Sequence, residues 1–146
     1  MANKSMHLGK AAENHIISLL LKENRDVYLP VVDDHGVDII VMTKPSNIKK
    51  VKDQYQKIQI KSVASGGKFH RIKCTRPKAN YWFVFYSWNN DKIWLINSNR
   101  FTGKNKVASK NKGGKNAGYY SLTLATSPGK KNNTAKYIIT NFSQLP

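Results

Sequence analysis

Acidic residues are scarce in this chain: 8 Asp and Glu stand against 25 Lys and Arg over 146 residues, a formal charge of +17. A surface this one-sided repels itself, and phosphates that release counterions on binding offset the cost. Simple solubility needs no such excess. Cysteine is nearly absent, and Cys74 alone excludes a disulfide framework and a Cys-rich zinc module. The four histidines, His7, His15, His35 and His70, lack ligand spacing, so a Cys/His zinc site is excluded too. Long apolar runs are missing. The longest near the N-terminus, 16–21, is interrupted by Ser18 and is too short to span a bilayer, and no cationic leader precedes it. Nothing reads as a basic amphipathic helix or a lipidation signal. These absences give the expectation of a cytoplasmic protein with a nucleic acid as its polyanion, no membrane and no small-molecule substrate.

What is present supports a folded chain. Hydrophobic residues make up 40% and aromatics 10%, too much for a disordered polycation. The length suits one domain over 1–146. The charge is also uneven. Eleven basic residues between Lys44 and Lys78 face only Asp53, and no acid follows Asp91.

Residues 6–24 read as a helix with Ser5 as its cap, because Gly9, Ala12, Glu13, Ile16 and Leu20 fall on one face. A strand at 27–32 contains Pro30, which places it at an edge or bulge. Asp33-Asp34-His35-Gly36 is turn chemistry. Strands at 37–42 and 55–63 then form a hairpin around a basic connection. Segment 69–78 reads as basic and irregular. The aromatic run 80–88 and strand 92–96 make a central hairpin that holds most of the core. Segment 100–115, rich in Lys, Asn and Gly, reads as a mobile loop, with the basic loop extending over about 100–117. A strand at 119–125, a basic turn at 127–133 and a closing segment at 135–142 complete an α/β or α+β chain.

Three features carry chemistry. Glu13 interrupts the apolar stripe of the helix, where a buried carboxylate is costly unless it is paired or binds a cation. Asp38 sits inside a β-branched strand that disfavours it. In Lys57-Ile58-Gln59-Ile60-Lys61, alternation puts Gln59 and Lys61 on one face and Ile58 and Ile60 on the other. A solvated rim, a turn acid and a polar sheet face are the plain readings of each feature alone.

In order, however, the pieces Gly9-Lys10-Ala11-Ala12-Glu13, Pro30 to Asp38 and Ile58-Gln59-Ile60-Lys61-Ser62 resemble the PD-(D/E)XK nuclease superfamily. Within it, they look like the Holliday junction resolvases and the intron-encoded homing endonucleases of this fold. The resemblance implies a restriction-endonuclease-like α/β fold: a mixed sheet flanked by helices, with the N-terminal helix carrying the acid. It implies metal-assisted phosphodiester hydrolysis in duplex or branched DNA. Asp38 would be the central Mg²⁺ ligand (Mn²⁺ a possible substitute), with Gln59, the Ile60 carbonyl and Glu13 completing the set and Lys61 as the catalytic cation. Gln59 stands where the family usually has an acid, so the ligand set carries −2 rather than −3. Lys68, Arg71, Lys73, Arg76 and Lys78, with Lys104, Lys106, Lys110 and Lys112 of the basic loop, would meet DNA, the two arginines being the better candidates for base edges. One centre cuts one strand, so a homodimer or homotetramer is expected. A non-catalytic nucleic-acid-binding protein of the same fold is the alternative.

Overall fold

The fold was analysed in a computed structural model, which describes residues 3–32, 35–43, 53–74, 77–127 and 133–146, apart from the side chains of His70 and Asn133. Asn3 opens helix α1, Lys4–Lys22, its Oδ1 accepting from the Ser5 N–H at 3.1 Å. The cap is therefore Asn3 and not Ser5, whose hydroxyl instead donates to the same oxygen at 2.8 Å. Asn caps as well as Ser does, so the helix starts earlier. Ala12, Ile16 and Leu20 form its buried stripe at i, i+4 and i+8.

Among the described residues nine strands follow: β1 (Asp26–Tyr28), β2 (Ile39–Thr43), β3 (Gln54–Val63), β4 (Lys68–Ile72), β5 (Tyr81–Ser87), β6 (Lys92–Asn97), β7 (Ser109–Lys110), β8 (Tyr120–Thr123) and β9 (Ile138–Ile139). Six of them make a mixed sheet in the order β1-β2-β3-β5-β6-β9. The β2–β3 hairpin is antiparallel with Ile39 opposite Ile58. The β3–β5 pair is parallel with Gln59 opposite Phe83 and Lys61 opposite Phe85. Strand β1 stops before Pro30 and lies at the edge, as a missing ladder donor requires.

The other three strands form a second sheet, β4-β8-β7. One expectation fails in part: within the stretch read as basic and irregular, residues up to Ile72 belong to β4, a strand with a bulge whose Phe69 and Ile72 turn inward. Segment 100–115 carries short 3-10 turns at Ser98–Phe101 and Gly114–Asn116 with strand β7 between them, and its Phe101 and Ala108 are buried. Basic residues occupy the outside of this segment and mask its few apolar anchors in the sequence.

Two apolar layers result. Helix α1 covers one face of the main sheet with Ala12, Ile16 and Leu20 against Ile39, Val41, Ile58, Ile60 and Val84. The second sheet covers the other face, closing Phe83, Phe85, Trp94 and Ile96 under Ile72, Tyr120 and Leu122. The architecture is thus mixed α/β, with an N-terminal helix on one side and β-structure where further helices were expected. Segments 98–101 and 109–123 are rich in Asn, Gly and Ser, and such residues favour turns over helix. The turn acids Asp33 and Asp34, the basic connection 44–52, Arg76 and the turn 128–132 lie outside the described residues.

Candidate active site

The site begins at a turn. His35 (φ 57°) and Gly36 (φ 73°) both take the left-handed conformation before β2. A Cβ on Gly36 would lie 2.8 Å from Gln59 Nε2, so the glycine lets this side chain lie against the turn. Asp38 follows. Its N–H donates to the Ile58 carbonyl at 2.9 Å, and its Oδ2 accepts from the Ile60 N–H at 2.6 Å. Strand β2 starts at Ile39, so beyond Ile58 the β2 side of β3 is met by this carboxylate in place of a strand. Successive residues of a strand turn their backbone groups to opposite sides. Lys57 N–H donates to Asn80 on the β5 side, and Ile60 faces Asp38 on the other. The Ile60 carbonyl shares that orientation.

Gln59 is half-buried, and its Oε1 accepts from the Tyr81 hydroxyl at 3.2 Å. The same hydroxyl lies 3.2 Å from the His35 carbonyl, which ties the turn to the amide. Lys61 is half-buried on the Gln59 face. Burial lowers its pKa below the ordinary lysine value, and the Asp38 charge pulls part of the way back.

Glu13 approaches from the helix. Its side chain is 25% exposed, at the rim of the apolar stripe, and its Oε2 accepts from Lys10 Nζ at 2.7 Å. That hydrogen bond, and then the Glu13 charge, hold Lys10 above the ordinary lysine value against slight desolvation, and Asp38 adds in the same direction. Helix α1 packs on the Ile58 face, opposite Gln59 and Lys61. Asp38 at the strand edge is the group whose charge reaches both Lys10 and Lys61. The structure thus joins Asp38 to the Ile60 backbone, holds Gln59 against Gly36 and Tyr81, sets Lys61 within Asp38's field and pairs Glu13 with Lys10. Among the described residues no three His, Cys, Asp or Glu side chains form a metal-holding group. The oxygens that Asp38, Gln59 and Ile60 carry are a carboxylate, an amide oxygen and a carbonyl, all hard oxygens of the kind Mg²⁺ takes. Cys74 is no competitor as a nucleophile, since burial pushes its thiol up to about 11.

The basic residues lie elsewhere. Lys68 and Arg71 are exposed on β4, with the Arg71 guanidinium 5.0 Å above the Tyr119 ring. Lys73, Lys78 and Lys104 are exposed. Lys106, Lys110 and Lys112 line an open hollow of about 600 Å³ with Ser109, Asn111 and Gly118. No helix among the described residues is long and apolar enough to cross a membrane.

No family model matches the chain, and no curated protein is similar to it. Among solved structures the chain is similar to a bacterial homing endonuclease, I-Ssp6803I, with a TM-score of 0.59 over 93% of this chain and 89% of that one. The likeness is one of fold. At 15% identity it does not assign residues.

Sequence reading missed Lys10 and Tyr81. Lys10 lies three residues before Glu13, a spacing that puts both on one helix face, and this was a usable signal. Tyr81 had none, because only the parallel β3–β5 register brings it beside Gln59.

Proposed function

We propose that the chain is a Mg²⁺-dependent DNA endonuclease that hydrolyses phosphodiester bonds, with Asp38 at the centre of its site. The observation that carries the reading is the hydrogen bond from the Ile60 N–H to the Asp38 carboxylate where the β2–β3 ladder ends, with Lys61 within reach of the Asp38 charge. The fold likeness to a homing endonuclease and the +17 charge support it.

In this reading Asp38, the Gln59 amide oxygen and the Ile60 carbonyl would hold the cation, and Glu13 would join them once its pair with Lys10 opens. The ion would supply charge neutralisation at the scissile phosphate and a more acidic water. Lys61 Nζ, already partly desolvated, holds the attacking water or stabilises the charge that grows on the phosphate. Tyr81 and Gly36 fix the Gln59 amide. Lys68, Arg71, Lys106, Lys110 and Lys112 meet phosphates, with Arg71 the one best suited to a base edge.

A second reading, a nucleic-acid binder without catalysis, is favoured by Gln59 in place of an acid and by the Lys10–Glu13 pair, which leaves less negative charge for a cation. Plasmid and four-way junction DNA incubated with Mg²⁺ or Mn²⁺ separate the two. The wild type is expected to cut, and Asp38→Ala to lose roughly a thousandfold or more, ~4 kcal/mol of barrier. Tight binding with no cutting in either metal would establish the binder, and equal cutting by both proteins would remove Asp38 from the site.

A further inference from the structure

Gln59 offers an amide where a carboxylate is the commoner ligand for a hard cation, and the two groups differ in symmetry. A carboxylate presents an oxygen whichever way it is turned. An amide has one oxygen and one NH₂, so a half-turn about its last bond puts donor hydrogens where a cation needs a lone pair. An amide ligand therefore needs a neighbour that tells its two ends apart. Tyr81 is such a neighbour. It opens β5 on the face of Gln59, with Tyr81 opposite Lys57 and Phe83 opposite Gln59 in the parallel register. Its half-buried ring stands edge-on to Phe83, centroids 5.3 Å apart, and its hydroxyl lies 3.2 Å from Gln59 Oε1. The nitrogen end of the amide lies against Gly36, whose added Cβ would come within 2.8 Å of Nε2 but 3.5 Å of Oε1.

We propose that Tyr81 is a positioning residue that makes an amide at position 59 usable as a cation ligand: its hydroxyl donates to Oε1 and so decides which end of the amide is the oxygen. The proposal rests on the reading of Gln59 as a ligand. A carbonyl oxygen has two lone pairs, so the bond from Tyr81 leaves one for a cation. The phenol has a single hydrogen, and the His35 carbonyl, also 3.2 Å away, competes for it. Donation to His35 turns the phenol oxygen into an acceptor facing the amide, which draws the NH₂ toward Tyr81 and reverses the two ends. One hydroxyl thus couples the 35–36 turn to the orientation of Gln59. A carboxylate at position 59 would need no such guide, because its two oxygens are equivalent.

The test is cation binding by the full chain without DNA, read by calorimetry with Mg²⁺ and with Mn²⁺. The proteins are the wild type, Tyr81→Phe, Gln59→Glu and the double variant. Phenylalanine keeps the ring against Phe83, so circular dichroism is expected to stay unchanged. Tyr81→Phe is expected to weaken binding roughly tenfold when residue 59 is glutamine. In the Gln59→Glu background the same change is expected to cost about twofold or less, a non-additivity that a purely structural role would not produce. Nitrogen relaxation of the Gln59 NH₂ in the metal-free chain gives a second readout, ordered in the wild type and mobile in Tyr81→Phe. Unchanged affinity in Tyr81→Phe, or an equal loss in both backgrounds, would overturn the role of Tyr81 and leave the nuclease reading standing. A wild type that binds neither cation would instead bring down the metal reading, and this role with it.

Discussion

Two neighbouring strands carry opposite chemistry on one face of one sheet. Gln59 and Lys61 of β3 stand in register with Phe83 and Phe85 of β5. The two phenylalanines are fully buried, whereas the amide and the ammonium are half-open. The strands themselves do not make this difference. The second sheet extends over β5 and β6, with Phe69 5.0 Å from Phe85. A face therefore changes from core to site across one interstrand spacing of ~4.8 Å. The chain can pair polar groups precisely at β3 because the rigid aromatic layer beside them supplies the stability.

That contrast can be broken at either strand. The largest effect on stability is expected from Phe85→Ala, which empties a sealed position and should cost about 3–5 kcal/mol, read as a lower denaturant midpoint at unchanged slope. Cutting per folded molecule should survive it. If Phe85→Ala left the midpoint unmoved, the aromatic layer would not be the stabilising half.

Gly36→Ala sharpens the comparison on the polar side. Its Cβ must displace the Gln59 amide, and its positive φ adds backbone strain. Cutting is expected to fall ~10–100-fold, about 1.4–2.7 kcal/mol. Gly66→Ala provides the control, since Gly66 also has positive φ (75°) but nothing lies within 4 Å of its added Cβ. An equal loss of cutting in the two variants would assign the effect to backbone strain and not to Gln59.

The smallest effect concerns Lys61 and stability. Its folded pKa lies below the ordinary 10.5, chiefly through burial. Between those two values the unfolded chain binds more protons than the folded one, so stability rises with pH across that window. Below it, both states are charged and the burial cost stands in full. Lys61→Met is therefore expected to flatten the alkaline rise and to stabilise the chain slightly at neutral pH while abolishing cutting. Denaturant midpoints at neutral and alkaline pH check the sign. A Lys61→Met chain less stable at pH 7 would mean that the ammonium is a net stabiliser through Asp38.

Much of this was legible before the fold. The 3.6-residue stripe of α1, the period-two alternation of Ile58 and Ile60 against Gln59 and Lys61, and that of Trp82, Val84 and Tyr86 against Phe83 and Phe85 all appear in the layers as read. Local periodicity survives folding because burial on one face imposes it. Of the second sheet only β8 was legible, within the strand read at 119–125. Its strands are two to five residues long, and its ladder joins Lys68 to Thr123 and Lys110 to Tyr120, pairs that no local pattern announces. The apolar anchors Phe69, Ile72, Phe101 and Ala108 are diluted among lysines and glycines.

By itself the sequence determined the charge, the helix, the β2–β3 hairpin and the two faces of β3, because each follows from residue type and short-range spacing. Tertiary structure alone decided that β5 lies parallel to β3 and brings Tyr81 to Gln59. It also decided that β2 begins late enough for Asp38 to meet Ile60, and that the second sheet packs its apolar residues on Phe83 and Phe85. These are register and coverage choices between segments distant in the chain. They are settled by which surfaces can be buried together, and no single segment carries that information.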